Sequence, residues 1–187
     1  RRRYKLLKRI FDLFFVLCLT PIALPLILLG VLLTIFTSKG GAFFHQVRVG
    51  REGKLFKIYK IRTMVINEGG FTVANDTRIT PIGKILRFTK IDELPQLCNI
   101  LVGDMSIVGP RPVVVSERDV IEAREKYGAN DVLPGLTGWA QINGRDNLST
   151  DMKAELDGYY VTHKSLIMDI RCIVRTIPYV LKRKGIV

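Results

Sequence analysis

Two adjacent acids mark the point of this basic chain that is best suited to chemistry. Asp92 and Glu93 lie side by side in "FTKIDELPQL" (88–97), although the 187 residues carry a formal net charge of +12. Pro95 lacks an amide hydrogen and suits a first helical turn, which places Asp92 near the cap of a helix. The free amides and the helix dipole favour anions there, so we expect a lowered pKa and a carboxylate able to hold a metal or attack. The alternative is that Asp92 only caps the helix and Glu93 only adds a favourable charge.

Basic residues elsewhere in the chain are placed where they could meet an anion. Period-2 geometry puts Lys60 and Arg62 on one face of a predicted strand, where two neighbouring cations need a counterion. Arg111 lies between Pro110 and Pro112, which hold its backbone extended at low entropy cost. Such rigid presentation suits a guanidinium that binds a phosphate in a bidentate manner, and a proline-stiffened surface turn is the alternative.

Glycines accompany a further cation in "PGLTGWAQINGRDN" (134–147). Gly135, Gly138 and Gly144 make this stretch rich in turns, and Arg145 follows them. An anion-binding loop is one interpretation, although glycine-rich loops alone are weak signals.

Two strands and several short helices must position these groups. The runs "AFFHQVRVG" (42–50) and "KLFKIYKIRTM" (54–64) predict a β-hairpin closed by the turn "GREGK". The stretch "GDMSIVGPRPVVV" (103–115) predicts a turn, a short strand and a loop. The stretch "SERDVIEAREKYG" (116–128) predicts a charge-paired amphipathic helix to which we assign no catalytic role.

A further helix is predicted in "TPIGKILRFT" (80–89). Thr80 is its expected N-cap and Pro81 its first helical residue. Its apolar stripe is expected at Ile82, Ile85 and Leu86. Arg87 then lies on a different face.

An uncharged stretch from Leu13 to Ser38 predicts a membrane helix. Pro21 and Pro25 each remove a helical hydrogen bond on the same face, so we expect a sharp bend there, with the Thr20 hydroxyl bonded to a nearby carbonyl. Basic residues flank both ends of the stretch and favour the cytoplasmic side. A re-entrant helix that enters and leaves one leaflet satisfies both flanks, and a kinked helix that spans the membrane is the alternative.

The chain therefore divides into a membrane segment and a soluble body. We expect a basic flank and a proline-broken re-entrant helix over 1–39, and a cytosolic catalytic domain over 40–187. The predicted fold class is α+β, with a small β-hairpin and a mainly helical body that carries interfacial amphipathic helices. The C-terminal stretch 165–187 combines apolar and basic residues and suits a helix lying on an anionic bilayer. A signal peptide is rejected because its apolar part would be shorter and would end at a small-residue cleavage site.

Cysteine and histidine usage argues against two kinds of site. The chain has three cysteines, an odd number, and they are widely spaced. Its two histidines are far apart in sequence. Neither a disulfide framework nor a zinc site is indicated, and a reducing, cytosol-facing body is the natural interpretation. The net charge permits a membrane-tethered nucleic-acid-binding module, but the sequence carries no helix-turn-helix, RNA-recognition or zinc-finger signature.

Several stretches, in combination and order, resemble the monotopic phosphoglycosyl transferases, also called bacterial sugar transferases, of the small single-domain type. They are "KRIFD", the proline-broken helix, "FKIYKIRTM", "IDELPQL", "GDMSIVGPRP" and "PGLTGWAQINGR". The resemblance covers nearly the whole chain and implies a monotopic enzyme of the bacterial inner membrane whose catalytic domain faces the cytoplasm. It further implies transfer of a sugar 1-phosphate from a UDP-sugar to undecaprenyl phosphate, with release of UMP and with Mg²⁺ as cofactor, as the first step of glycoconjugate assembly.

The resemblance also implies roles for individual residues. Asp92 looks like the nucleophile and Glu93 like its partner, and the two would hold Mg²⁺. Pro25 matches the helix-breaking proline, whereas Leu24 stands where members often have Ser, and Pro21 is an addition. The basic positions around the phosphates are matched by Lys60, Arg87, Arg111 and Arg145.

Alternatives to this assignment stay open. The same transfer could proceed by one direct displacement with Asp92 as general base, and an ordinary single-pass protein with a structural body is a hypothesis from another class. The expected partners are a UDP-sugar, undecaprenyl phosphate and anionic membrane lipids. No nucleic-acid partner is expected, and a homodimer is left open.

Overall fold

The computed structural model describes residues 2–65, 76–144 and 148–181. One long helix, α1 (Arg2–Thr37), precedes an antiparallel hairpin of β1 (Phe43–Val49) and β2 (Leu55–Ile61). The rest of the body is mainly helical and adds a second two-stranded sheet, which confirms a mixed α+β fold. The α-helices and strands that follow are α2 (Pro81–Thr89), α3 (Leu97–Val102), β3 (Ser106–Val108), α4 (Arg118–Glu125), β4 (Gly135–Thr137), α5 (Trp139–Ile142), α6 (Thr150–His163) and α7 (Leu166–Leu181).

Helix α1 has two faces of different character. Val16, Ala23 and Thr34 are buried against the body at helical spacing. The opposite face leaves large apolar side chains exposed, and α1 is long and apolar enough to cross a membrane by length and composition. These exposed side chains include Phe14, Leu17, Ile22, Leu24, Leu28 and Phe36. The helix therefore packs on the body along one side and offers an apolar side to lipid.

Both prolines lie inside α1, which is helical on either side of them. The Thr20 hydroxyl donates to the Val16 carbonyl at 2.7 Å, which confirms that this side chain serves the backbone of the proline segment. Helix α1 continues through Pro21 and Pro25, so the sharp bend and the re-entrant course stay predictions.

The predicted hairpin is confirmed. Strands β1 and β2 pair in antiparallel register from Phe43 opposite Ile61 to Val49 opposite Leu55. The turn between them is a short 3₁₀ helix at Arg51–Gly53, within the predicted "GREGK". Buried side chains of β2 face the core, and the neighbouring positions carry the polar groups of the site described below.

The second sheet pairs β3 with β4 in parallel. Strand β3 confirms the short strand predicted within 103–115, whereas the stretch predicted as a turn-rich loop contains β4 and α5. Glycine is needed at Gly135 because a Cβ atom there would lie 2.1 Å from the Gly109 nitrogen. This glycine therefore permits two backbones to approach closely, which gives it a structural role.

Gly135→Ala is expected to destabilise the fold by about 3 kcal/mol or more, because the methyl group would force the two strands apart. Gly41→Ala is the matched control, since a Cβ at Gly41 would meet nothing within 4 Å. We expect the control to change the free energy of unfolding by less than about 0.5 kcal/mol. Urea unfolding of both variants in detergent measures the difference, and equal stability would contradict the close-approach argument.

A buried polar network fixes the first turns of α1 to the body. Asp12 is 1% exposed and accepts hydrogen bonds from the Ser106 hydroxyl at 3.0 Å and the Ile107 amide at 3.1 Å. Lys8 lies 3.8 Å from Asp12 and 3.0 Å from Asp169 of α7. The buried charges are thus paired and hydrogen-bonded, and they hold α1, β3 and α7 together.

Helices α2 and α7 each leave an apolar face exposed. The Thr80 hydroxyl accepts from the Gly83 amide, which confirms the predicted N-cap of α2, but the predicted stripe is only partly right. Leu86 is buried, whereas Ile85 remains 56% exposed. Helix α7 buries Met168, Asp169 and Cys172 and exposes Ile167, Ile170, Val174 and Ile177.

Candidate active site

The two acids lie in a 3₁₀ helix, Ile91–Gln96, that follows α2. The junction residue is Lys90, whose φ of 61° turns the chain sharply between the two helices and whose side chain makes no capping hydrogen bond. Asp92 is therefore the second residue of the 3₁₀ helix, and it lies with Glu93 in the first turn, which confirms the predicted place of the acid pair at a helix N-terminus. Asp92 is not itself the capping residue, because Lys90 occupies the N-cap position.

The carboxylate of Asp92 is buried and incompletely bonded. Asp92 is 6% exposed, and its Oδ1 atom has no hydrogen-bond partner among the described residues. Burial, together with repulsion from Glu93, raises the pKa of Asp92 from 3.8 to about 6, against the opposing charges of Lys60, Lys90 and Arg87. The prediction of a lowered pKa is wrong here because burial outweighs the helix terminus.

Glu93 is stabilised as an anion. Lys60 Nζ lies 2.9 Å from Glu93 Oε1, and both side chains are largely buried. Burial raises the pKa of Glu93, but Lys60, Arg111 and Lys90 outweigh it and hold that pKa well below its usual range. The environment thus lowers the pKa of Glu93 and raises that of Asp92 to about 6, so the two acids are suited to different roles.

A cleft opens beside Glu93 between the hairpin and the segment of β4 and α5. Lys60, Glu93 and Arg111 line it together, as expected for residues that share an anion. Glu93 rather than Asp92 lines its wall. Three further polar residues of the wall were not predicted from the sequence: Arg48, Gln96 and Gln141.

Two other predicted cations take different positions. Arg87 lowers the pKa of Asp92 by its charge and donates from Nε to the Thr63 hydroxyl at 2.8 Å, so it lies on the Asp92 side of the pair. Arg62 follows the end of β2 and directs its guanidinium to the Ser38 hydroxyl at 3.2 Å. It is not among the residues that line the cleft with Lys60, and its predicted role in binding an anion stays a prediction. Arg145 lies outside the described residues, and its role stays a prediction.

The loop that carries Arg111 is held from three sides. The Pro110 carbonyl accepts from the Gly135 amide at 2.8 Å, and the Pro112 carbonyl accepts from Arg48 Nη1 at 3.1 Å. The Arg111 carbonyl itself accepts from Arg124 Nη1 at 3.0 Å. Pro110 and Pro112 thus present fixed acceptors as well as restricted backbone.

Arg124 belongs to α4, the helix to which the sequence assigned no catalytic role. It is 6% exposed, and its guanidinium lies 2.7 Å from Asp157 of α6. Helix periodicity could not reveal this role, because it depends on a partner 33 residues away in sequence. The buried pair of Arg124 and Asp157 supports the backbone of Arg111, whose side chain lines the cleft.

Among the described ranges, no group of three or more His, Cys, Asp or Glu side chains could hold a metal by itself. Asp92 and Glu93 could supply only part of a coordination sphere. Mg²⁺ commonly uses one or two carboxylates, with water and substrate phosphates completing its six ligands. The unpartnered Asp92 Oδ1 beside Glu93 fits such a shared site.

A carboxylate pair thus lies beside a cation-lined cleft, on a body that packs along a long apolar helix. The chain belongs to the bacterial sugar transferase family, whose model matches residues 3–183. It is therefore a transferase, and the resemblance inferred from its motifs is confirmed.

Curated relatives align with almost the whole chain. A sugar transferase of Bacillus subtilis named EpsL is 40% identical over 97% of this chain and 90% of its own length. The UDP-glucose:undecaprenyl-phosphate glucose-1-phosphate transferase of Caulobacter vibrioides is 42% identical over 93% of this chain and 69% of its own. The undecaprenyl-phosphate galactose phosphotransferase of Salmonella typhimurium is 37% identical over 99% of this chain, which spans only 42% of that relative.

Proposed function

We propose that this protein transfers a sugar 1-phosphate from a UDP-sugar to undecaprenyl phosphate and releases UMP. The observation that carries the proposal is the buried Asp92 with its unpartnered Oδ1, next to an ionised Glu93 and a cleft lined by cations. The names of the Caulobacter and Salmonella relatives, which act on undecaprenyl phosphate, support it. The product would begin the assembly of a bacterial glycoconjugate such as an exopolysaccharide.

In the first step, Asp92 would attack the phosphorus that carries the sugar. A bond forms between the carboxylate oxygen and phosphorus, the phosphoanhydride bond breaks, and UMP leaves with the bonding electron pair. The resulting acyl phosphate retains the transfer potential of the anhydride. Undecaprenyl phosphate then attacks the same phosphorus, which forms the diphosphate product and returns the carboxylate.

The cations of the site would make attack by an anion on an anion feasible. Lys60 holds Glu93 ionised and adds positive charge between the two acids. Arg87 would stabilise a phosphate on the Asp92 side, and Arg111 one on the Glu93 side. Bound Mg²⁺, held in part by Asp92 and Glu93, would neutralise phosphate charge and polarise the bond to phosphorus.

The second candidate mechanism keeps the same substrates and uses Asp92 as a general base in one direct displacement. Its pKa of about 6 favours this role as much as it favours a nucleophile, because a general base works best near the operating pH. The two mechanisms differ in whether a sugar phosphate ever becomes bound to Asp92.

We further propose that α1 is a re-entrant helix of the bacterial inner membrane and that the body faces the cytoplasm. Its exposed apolar face supports burial in lipid, and the exposed apolar faces of α2 and α7 support contact with the same bilayer, rich in anionic lipids. Labelling of a cysteine introduced at the N-terminus, from outside intact cells, tests the topology. Reaction with a membrane-impermeant reagent would place the N-terminus outside the cell and would rule out the re-entrant helix.

The deciding experiment incubates the purified protein with Mg²⁺ and a labelled UDP-sugar in the absence of lipid acceptor. The panel consists of UDP-glucose, UDP-galactose and UDP-N-acetylgalactosamine, and acid quenching is followed by peptide mass spectrometry. We expect one donor to yield stoichiometric UMP and an adduct on the peptide containing Asp92, which undecaprenyl phosphate then discharges. Turnover with lipid but no adduct at any time would favour direct displacement, and no UMP release with any donor and lipid would contradict the transfer.

A further inference from the structure

One wall of the cleft carries an arginine whose bonding is incomplete. Arg48 of β1 donates to the Pro112 carbonyl at 3.1 Å and to the Gln46 side chain at 2.7 Å, but its buried Nε atom has no hydrogen-bond partner among the described residues. Gln141 of α5 lines the same cleft, and its buried Oε1 atom is likewise without a partner in the described part of the chain. Orphaned buried donors and acceptors are uncommon because each costs free energy, so both atoms point to a ligand.

The neighbourhood of Arg48 favours an anionic ligand. Arg48 and Arg111 line the cleft with Lys60, while Glu93 supplies one carboxylate already bound by Lys60. Arg48 and Arg111 line the same cleft, and burial together with the charge of Arg111 lowers the pKa of Arg48 to about 10. Glu117 offsets little of this charge, because its Oε2 atom lies 4.0 Å from Arg48 and its side chain is 39% exposed.

The cations divide between the cleft, which is lined by Arg48, Lys60 and Arg111, and helix α2, which carries Arg87. Arg87 acts on Asp92, Arg111 acts on Glu93, and Lys60 acts on both. The Arg87 side belongs to α2, which packs against α1 and exposes the apolar side chains of Ile85 and Phe88. The Arg48 side is a polar cleft lined by the hairpin, β4 and α5. An anion carried by a lipid suits the first side, and a water-soluble anion suits the second.

We propose that Arg48, together with Arg111, binds the phosphate of the departing nucleoside monophosphate, and that Gln141 accepts a hydrogen bond from its nucleoside. This inference rests on the proposed function and adds which wall of the site holds the nucleotide. The planar guanidinium of Arg48 can donate from Nε and one terminal nitrogen to two phosphate oxygens. Its bond to the Pro112 carbonyl fixes the orientation in which it does so.

Arg48→Gln tests the inference. Arg51→Gln is the matched control, because it removes the same charge from an exposed position in the neighbouring turn. We expect Arg48→Gln to weaken equilibrium binding of UMP, and to raise KM for the UDP-sugar, by roughly tenfold to a hundredfold. The KM for undecaprenyl phosphate should stay within about twofold of the wild type, since that substrate uses the other side. Arg51→Gln should leave all three quantities unchanged.

Arg48→Lys separates binding from support of the loop. Lysine keeps the charge but lacks the planar fork, so we expect UMP affinity between those of the wild type and Arg48→Gln. A merely structural role would lower thermal stability and raise both KM values together.

The inference is overturned if UMP binds equally well to wild type and both Arg48 variants, or if only the lipid KM rises. Because UMP binding is measured without turnover, its outcome is separate from that of the transfer reaction. Wild-type transfer with unaltered UMP binding in the variants would refute the Arg48 site alone. Failure of wild-type transfer with every donor would refute the proposed function, and failure of wild-type protein to bind UMP would refute the site.

Discussion

Asp92→Asn is expected to abolish sugar-phosphate transfer while making the folded protein more stable at pH 8. Loss of the nucleophilic oxygen should lower kcat by roughly 10⁴-fold or more, as removal of a nucleophile does in other covalent enzymes. The adduct formed without lipid should also disappear. Initial rates of UMP release with undecaprenyl phosphate measure the first effect, and peptide mass spectrometry measures the second.

The gain in stability follows from the pKa of Asp92. A carboxyl group whose pKa rises from 3.8 to about 6 on folding costs stability, because the folded state binds the proton more tightly than the unfolded state does. The cost is absent below about pH 4, develops as the pH rises towards 6, and is complete above it. At about 1.4 kcal/mol per pKa unit, it amounts to about 3 kcal/mol at pH 8.

Asparagine has the shape of the neutral acid and escapes this cost. We therefore expect Asp92→Asn to raise the free energy of unfolding by about 1–3 kcal/mol at pH 8 and to have little effect at pH 4. Urea unfolding should be measured in EDTA, because a divalent cation would offset the repulsion between the acids. Asp151→Asn, at an exposed position in the first turn of α6, is the control and should give no such gain. A variant that retains turnover, or that is less stable than wild type at pH 8, contradicts the assignment.

Local patterns predicted the elements that local interactions determine. The hairpin, its turn and the Thr80 cap depend on neighbours in sequence, and the structure has all three. The pairing of Lys60 with Glu93 could be expected only in outline, as a cation near an acid. The family motifs made the expected pairing of Lys60 with Glu93 more specific, because the two residues belong to motifs that are distant in sequence and that the fold brings together.

Tertiary packing explains the errors. Asp92 was expected to be ionised because its position near a helix terminus is visible in the sequence, whereas its burial is not. Arg62 was assigned to the face of Lys60 because the end of β2 at Ile61 cannot be read to one residue. Arg48 was missed because its place in the cleft depends on strand register and on the distant Pro112.

Breaking the buried pair of Arg124 and Asp157 is the second change with a large expected effect. Asp157→Ala should destabilise the fold by about 3–5 kcal/mol, because it leaves a guanidinium buried without its anion. The exposed variant Glu52→Ala, which breaks the surface pair with Arg51, is the control and should cost less than about 0.5 kcal/mol. Thermal unfolding in detergent measures both.

A double variant distinguishes stability from positioning. Burial raises the pKa of Asp157 in spite of the opposing Arg124, so the ion pair itself carries a desolvation cost. Replacing both residues with apolar ones, as Arg124→Met with Asp157→Leu, should therefore restore most of the stability that Asp157→Ala loses. It cannot restore the hydrogen bond to the Arg111 carbonyl, and we expect kcat/KM for transfer to remain about tenfold below wild type. Full recovery of activity with stability would show that the pair supports only the fold and not the placement of Arg111.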